Sequence, residues 1–563
     1  MPKITINGRE SEFQPGQVIL QVANANEQPI PQYCYHDGLS IVASCRICLA
    51  EIWMPNKQTG KLEPYMGGKL MPTCQTACMD GMVVYTDSPK SMANQKAVME
   101  YLLINHPLDC PVCDQAGECF LQDYSYEYGR GQSRFEEVKV KQPKKDLGPH
   151  IYLYADRCIM CTRCVRFTRE VTGTGELLVA GRGNREEIDV FPGHPIDNEL
   201  ASNVVDLCPV GALLDKDFLF AQRVWFLKST PSIDGITASG DNISIEHNDG
   251  KIYRIKPRTN MAINRWWITD EVRYGWKFVH RADRLGTPAR KQFGVTTECD
   301  WTRACTDAVD GLKKAVAGGK RLGLMVSPML SCEDAFTLAQ AALAIDDRAF
   351  LGVGPIPVHG PDKLFPAGAK DGDPKAFKMY AEKAPNARGV RRVLEALSKK
   401  TTHSGYVPDA AKLTAQIRNG EIGGVIVCGN YPSDWATPEL REALKGKFVV
   451  LIDTLPSILS ESADIVLPGA TWAEKAGTFQ NARNMLQAFE AAIPVRDGAK
   501  SEGQIGLELA AHARGHTHAK LFNAAETRQA MAAASADLGA MITDVKIAVA
   551  RVEQEPDMQA VEV

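Results

Sequence analysis

Twelve side chains constrain this chain more than any other feature. Cys34, Cys45, Cys48 and Cys74 form one group, His106, Cys110, Cys113 and Cys119 a second, and Cys158, Cys161, Cys164 and Cys208 a third. Each group supplies four ligands, the number that [2Fe–2S] and [4Fe–4S] clusters require. The ligands of a cluster must converge on one small inorganic core. Close pairs on tight loops achieve this with little ordering cost, and a distant fourth ligand closes each site. Three one-electron centres in series read as a wire.

The chain has 16 cysteines, and only Cys299, Cys305, Cys332 and Cys428 lie beyond residue 208. A disulfide framework is unexpected in a reducing compartment. The dense N-terminal set therefore reads as metal-binding and the four scattered residues as ordinary thiols. At 563 residues the chain should divide into roughly three to five domains. A net charge of −4 without blocks of like charge argues against nucleic acid as a partner. No run approaches the length of a membrane-spanning helix. The start, Met-Pro-Lys-Ile-Thr-Ile, alternates like a strand and lacks signal-peptide character. An intracellular protein is expected, with membrane contact only through partners.

The first group is Cys-x10-Cys-x2-Cys followed by a remote cysteine, a variant of the plant-type [2Fe–2S] loop. Its fourth ligand is open on spacing alone, because Cys78 lies one helical turn from Cys74. The second group, His106-x3-Cys110-x2-Cys113-x5-Cys119, fits a His-ligated cluster. A structural Cys3His zinc site is the alternative. Neutral imidazole in place of thiolate should raise the potential, as it does in Rieske centres. The third group is a ferredoxin-type triplet with a displaced Cys208-Pro209. One triplet and one Cys-Pro leave them to share a cluster. Arg157, Arg163 and Arg166 flank it. They read equally well as stabilisers of the reduced cluster or as a solvated basic face. The chain has no phosphate-binding Gly-Lys-Ser/Thr loop, and Gly352-Val353-Gly354 lacks the rest of a dinucleotide fingerprint. Neither NAD nor flavin is expected on it.

Patterning suggests a multidomain α+β then α/β protein. Ile4 and Ile6, the turn Asn7-Gly8 and a second strand to Phe13 make a hairpin. A helix near Val18–Asn24 and a closing strand at Gly81–Thr86 would complete a β-grasp ferredoxin domain. Val98, Tyr101, Leu102 and Ile104 recur at helical spacing, and this helix should deliver His106. Lys141–Lys145 reads as a solvated linker. Residues 225–275 read as small β segments. Beyond about 290, strands such as Leu322–Val326, Gly424–Val427, Phe448–Ile452 and Ile465–Leu467 alternate with helices such as Asp334–Ala344 and Pro438–Leu444, the pattern of a parallel sheet. The final forty residues are alanine-rich and read as helix. The expected domains are 1–85 ([2Fe–2S] β-grasp), 86–145 (His/Cys3 [4Fe–4S] module and linker), 146–222 ([4Fe–4S] ferredoxin-like module), 223–285 (small β-rich segment without cluster) and 286–563 (α/β domain).

The segments CRICL (45–49), NHPLDCPVCDQAGECFLQD (105–123), DRCIMCTRCVRF (156–167) and CPVGAL (208–213) resemble the large iron–sulfur subunit of respiratory NADH:quinone oxidoreductase, complex I. That family comprises the G subunit of the bacterial complex and the 75-kDa subunit of mitochondria. The resemblance is close over about 1–222 and looser beyond. ADIVLPGATWAEKAGTFQNARN (463–484) resembles a molybdopterin oxidoreductase fold that the family carries in degenerate form. The resemblance implies one [2Fe–2S] and two [4Fe–4S] clusters, the twelve ligands above with Cys74 rather than Cys78, and no bound molybdopterin. It also implies relay of single electrons from a flavin-bearing NADH-oxidising subunit and its small [2Fe–2S] partner toward downstream iron–sulfur and quinone-site subunits. The implied location is the cytoplasmic side of the inner (plasma) membrane, peripheral through those partners. Some members carry a fourth cluster motif after a Thr-Pro. Here Thr230-Pro231 is followed by SIDGITASGDN, without cysteine. The alternative role is the diaphorase-arm subunit of a soluble NAD-linked hydrogenase or formate dehydrogenase, whose expected lengths fit this chain less well.

Overall fold

The computed structural model describes residues 1–399, 401 and 404–547. They fall into two compact units. The first holds Met1–Leu227 with Leu364–Phe377, and the second Lys228–Lys363 and Lys378 onward.

The first unit opens with the expected hairpin, Lys3–Ile6 paired with Arg9–Glu12. Asn7 and Gly8 both have positive φ, 46° and 81°, as a two-residue turn matched to strand twist requires. Lys3–Ile6 runs parallel to Met82–Tyr85, which is antiparallel to Leu49–Pro55. Short strands Leu62–Pro64 and Met71–Pro72 also pair with Leu49–Pro55. Ile4, Ile6, Ala50, Ile52, Met82 and Val84 bury one sheet face together with Ile19, Leu20, Val22 and Ala23 of the helix Ile19–Ala25. Alternation of apolar residues makes this face. The long loop before Leu49 carries Cys34, Cys45 and Cys48 to the edge of that core.

The helix Pro89–Leu103 begins at a Ser88 cap, whose side chain accepts from the Ser91 N–H, and has proline in its first turn. It differs from expectation in the face it buries. Ser91, Gln95 and Met99 are inside, whereas Tyr101 is 71% exposed. The cause is a polar seam rather than an apolar stripe. Ser91 Oγ donates to Tyr85 O at 2.9 Å, Gln95 Nε2 to Thr86 O at 3.0 Å and Asn94 Nδ2 to Arg46 O at 2.9 Å. These bonds satisfy carbonyls that the sheet leaves unpaired. At the helix end, Lys139 Nζ donates to Leu103 O and Ile104 O at 2.7 and 2.9 Å, occupying orphan carbonyls next to His106.

Lys141–Lys145 is not all linker. Lys144–Asp146 is a strand on Ile151–Tyr154, which also pairs with Leu213–Asp215. Lys145 Nζ lies 2.9 Å from Glu187 and 2.6 Å from Asp189, on the hairpin of Leu177–Ala180 and Glu187–Val190.

The second unit begins with a three-stranded meander, Lys228–Ile233, Asn242–Asn248 and Lys251–Pro257. A seven-stranded sheet follows. Its parallel part runs Ile465–Pro468, Phe448–Asp453, Ile422–Cys428, Arg321–Val326, Phe350–Val353. The hairpin Ala289–Gln292 and Val295–Glu298 adds an antiparallel edge. Ile422–Cys428 is buried at every residue, as expected of a strand covered on both faces. The helices Trp301–Val316, Cys332–Ile345, Ala387–Ser398 and Glu502–Ala513 cover one face, and Ala410–Arg418 with Pro438–Ala443 the other. Cys305, Cys332 and Cys428 are buried within this core, while Cys299 is partly buried against it. Lys475 is enclosed here too, 4% exposed, with Asp334 Oδ2 at 2.9 Å and Glu502 as its second partner. The alanine-rich end is helical over Ala524–Ala534 and Ala540–Thr543. At Lys546–Ile547 the expected helix gives way to a short strand parallel to Leu486–Phe489, and residues 548–563 lie outside the described residues.

Candidate metal centres

All 16 cysteines are free thiols. The twelve predicted ligands all lie in the first unit, on loops and helix ends. In the first group the Cys34 and Cys45 sulfurs are 3.4 Å apart. The turn between Cys45 and Cys48 uses Arg46 at a φ of 60°, a left-handed conformation that a residue with Cβ adopts rarely. Cys74 is held next to Cys48 by Thr73, whose Oγ1 donates to Cys48 O at 3.0 Å. A hydrogen bond shared between Cys34 and Cys45, and another between Cys48 and Cys74, holds Cys34 and Cys48 below the usual thiol range and their partners above it. Cys74, Cys48, Cys34 and Cys45 all influence one another electrostatically. Cys78 stands apart: only burial acts on its thiol, pushing it up to about 11.

The second group surrounds a small cavity lined by His106, Cys110, Cys113, Cys119, Arg157 and Gly211, among others. A short helical turn, Cys110–Val112, carries the first thiol. Cys119 caps the helix Phe120–Glu127. Backbone N–H groups of Leu121 and Gln122 reach its sulfur, although burial dominates and pushes the thiol up to about 12. Burial, with Arg157 and then Lys139, brings His106 down to about 4. Its imidazole is therefore neutral at pH 7, the form that binds metal. Arg157 Nη2 donates to Asp109 Oδ2 at 2.9 Å, and its guanidinium lies 4.0 Å from the Tyr154 ring centroid. Gly211 matters here because a Cβ on it would stand 2.3 Å from Cys113 Sγ.

The third group lines another enclosed cavity with Cys158, Cys161, Cys164 and Cys208, walled by Leu153, Ile188 and Val210. Met160 and Thr162 take left-handed φ values of 51° and 58°. This winds the triplet so that all three thiols turn inward. Met160 N donates to Cys158 Sγ at 3.4 Å. Val210, Ala212 and Leu213 present backbone N–H groups to Cys208. Such donors favour added negative charge at the sulfur. Burial pushes Cys158 up to about 12 and Cys161 to about 11.

The donor sets fit the clusters that their spacing suggests. Two four-ligand sets each enclose a cavity. Among the described residues no three His, Cys, Asp or Glu side chains stand close enough to hold a single metal ion.

The flanking arginines are not a solvated face. Arg157, Arg163 and Arg166 are 2%, 6% and 8% exposed. Sequence reasoning also passed over Tyr33, which is fully buried and feels the charges of Tyr124, Cys119 and Cys45. Its hydroxyl donates to Met99 Sδ at 3.2 Å, and its ring centroid lies 5.3 Å from that of Tyr124. Its place directly before Cys34 was the one available signal.

Comparison with known proteins agrees with this layout. Residues 2–89 match a family described as a 2Fe-2S iron-sulfur cluster binding domain. Residues 95–134 match the NADH-ubiquinone oxidoreductase-G iron-sulfur binding region, and 148–214 the ferredoxin-like domain of NADH-quinone oxidoreductase subunit 3. The G subunit of NADH-quinone oxidoreductase from Rickettsia felis is 36% identical over 338 residues, 60% of this chain and 48% of that protein. The NADH-ubiquinone oxidoreductase 75 kDa subunit of Reclinomonas americana is 38% identical over 325 residues, 58% of this chain and 45% of that protein. The chain is similar to these G-subunit and 75 kDa proteins. It spans about half the length of the curated relatives it matches. A chain of an NAD+-reducing [NiFe]-hydrogenase is 24% identical, covering 40% of this chain and 91% of its own length with a TM-score of 0.33, too weak a likeness to support any argument.

Two further matches lie in the second unit. Residues 363–512 match the molybdopterin oxidoreductase family. Residues 227–277 match an NADH-ubiquinone oxidoreductase family described as a 4Fe-4S domain. In this chain, no cysteine occurs between Cys208 and Cys299, so residues 227–277 offer no thiolate ligand.

Proposed function

We propose that the chain is an electron-transfer subunit of an NADH:quinone oxidoreductase of the complex I type. The observation that carries this is the gathering of His106, Cys110, Cys113 and Cys119 around one cavity and of Cys158, Cys161, Cys164 and Cys208 around another, in segments matching iron–sulfur families of that complex. Cys34, Cys45, Cys48 and Cys74 would hold a [2Fe–2S] cluster, and the other two sets a [4Fe–4S] cluster each. Mutual influence within the first set, against the isolation of Cys78, favours Cys74 as its fourth ligand. The clusters supply reversible one-electron chemistry when bound. The protein's own part is to position the ligands, exclude water and set local charge. Backbone N–H groups aimed at Cys208 and neutral His106 ease the arrival of negative charge, while apolar walls keep the third site dry.

The domains of this reading are 1–85 (β-grasp [2Fe–2S]), 86–145, 146–222, 223–285 and 286–563, the last a degenerate molybdopterin-oxidoreductase-like α/β domain. No molybdopterin, NAD or flavin is assigned to them. Electrons would arrive from a flavin-bearing, NADH-oxidising subunit with its small [2Fe–2S] companion. They would leave toward downstream iron–sulfur and quinone-site subunits. No described helix is long and apolar enough to cross a membrane. A peripheral place on the cytoplasmic side of the inner (plasma) membrane, held by those partners, fits this.

The test is iron and acid-labile sulfide analysis of the anaerobically purified chain, with identification of what co-purifies from its native cells. About ten irons per chain and membrane quinone-reductase partners are expected. About two irons, stoichiometric zinc or a soluble hydrogenase assembly would each overturn part of this reading.

A further inference from the structure

Two buried guanidiniums lie where the first and third thiolate sets meet. Arg166 Nη2 donates to Cys34 O at 2.5 Å and to Cys161 O at 3.3 Å, and Nη1 donates to Ser40 O at 2.5 Å. Arg163 Nη2 donates to Tyr35 O at 2.5 Å and Nη1 to Leu207 O at 3.2 Å. One nitrogen of Arg166 thus grips a ligand residue of each set. Arg163 joins the residue after Cys34 to the residue before Cys208.

Every one of these acceptors is a backbone carbonyl, and both Nε atoms are buried without a partner. The nearby carboxylate of Glu170 is engaged instead by the Ser40 N–H and hydroxyl, at 2.8 and 2.5 Å. A buried charge without a countercharge is strongly destabilising, and two like charges side by side more so. Burial acts most strongly against the Arg163 charge and Arg166 adds to that, while Cys161, Cys208 and Cys34 favour it; as ligands these three would be thiolates. Thiolate charge on both sets would compensate the pair more closely than the Glu170 carboxylate, which is held by Ser40.

We propose that Arg163 and Arg166 are positioning residues shared by the first and third centres, fixing their separation and raising the reduction potential of both. This rests on the cluster assignment above. A fixed cation near a centre favours its reduced, more negative form. A cation placed between two centres favours both together, so one substitution should move two potentials. Arginine suits the task because its planar fork reaches several carbonyls at once, which an ammonium does not.

The experiment is an EPR-monitored redox titration of the full anaerobic chain with Arg166→Gln and Arg166→Lys, using the His106 set as internal reference. For Arg166→Gln the oxidised-to-reduced ratio at a given potential should rise at least tenfold at both the first and third centres, a downward shift of about 59 mV. Arg166→Lys, which keeps the charge, should restore most of it. A shift at one centre only, or equal effects of glutamine and lysine, would overturn the proposal. If Arg166→Gln loses iron, loss from both of these sites with the His106 set intact supports the shared grip, and loss from one overturns it. Arg163→Gln, read the same way, covers the case in which Arg166→Gln does not fold. Absence of both signals in the unsubstituted chain would instead retire the cluster assignment itself.

Discussion

Gly211 has no side chain because Cys113 occupies the space. A Cβ there would lie 2.3 Å from the Cys113 sulfur and 3.0 Å from Gln115 Cβ. Interiors at crystal-like density leave no slack for such an overlap. Gly211→Ala should displace Cys113 and cost the second site its cluster, about four irons, while the other two EPR signals persist. Full iron content with an unaltered second signal would show that the close approach is unimportant. The gathering of the second and third sets around two cavities was legible because such spacing is a local property of sequence. Gly211 was not, since it follows Cys208 of the third set and serves a cysteine of the second. The arginines were half legible. Their positions beside the triplet were plain, but their burial depends on the Cys34–Ser40 loop, more than a hundred residues earlier.

At the level of elements, alternating apolar residues announced the opening hairpin, and unbroken apolar runs announced the parallel strands that are buried on both faces, because each pattern needs only the element's own residues. The helix Pro89–Leu103 is the counter-example. Its apolar spacing pointed to Val98, Tyr101 and Leu102, yet it turns Ser91, Gln95 and Met99 inward. The face that wins is the one that answers the unpaired carbonyls of Tyr85 and Thr86, and periodicity does not register carbonyls. Gln95→Ala removes a buried bond and strands Thr86 O. It should destabilise the first unit by about 1–3 kcal/mol, measurable by denaturant unfolding of the cluster-loaded protein. A change within about half a kcal/mol, the range of neutral surface substitutions, would mean that the seam contributes little.

Over the whole molecule, the two units rely on different sources of order. The second has a continuous apolar core on both sides of its sheet. The first builds its centres from loops, with non-glycine residues held at positive φ at Arg46, Met160 and Thr162, conformations that persist only when their surroundings impose them. Anaerobic removal of iron should therefore abolish amide-exchange protection around 34–48 and 158–213 while leaving strands such as Ile422–Cys428 protected. Equal loss in both units would contradict this division.

The grip of Arg163 and Arg166 on the loop after Cys34 also orders events in time. Translation completes the first set of thiols at Cys74, but its fastening side chains emerge from the ribosome some ninety residues later, and Leu207 later still. The earliest-made site is thus among the last to be secured. When Cys74 leaves the ribosome, the N-terminal loop still waits for contacts to residues that have yet to be translated.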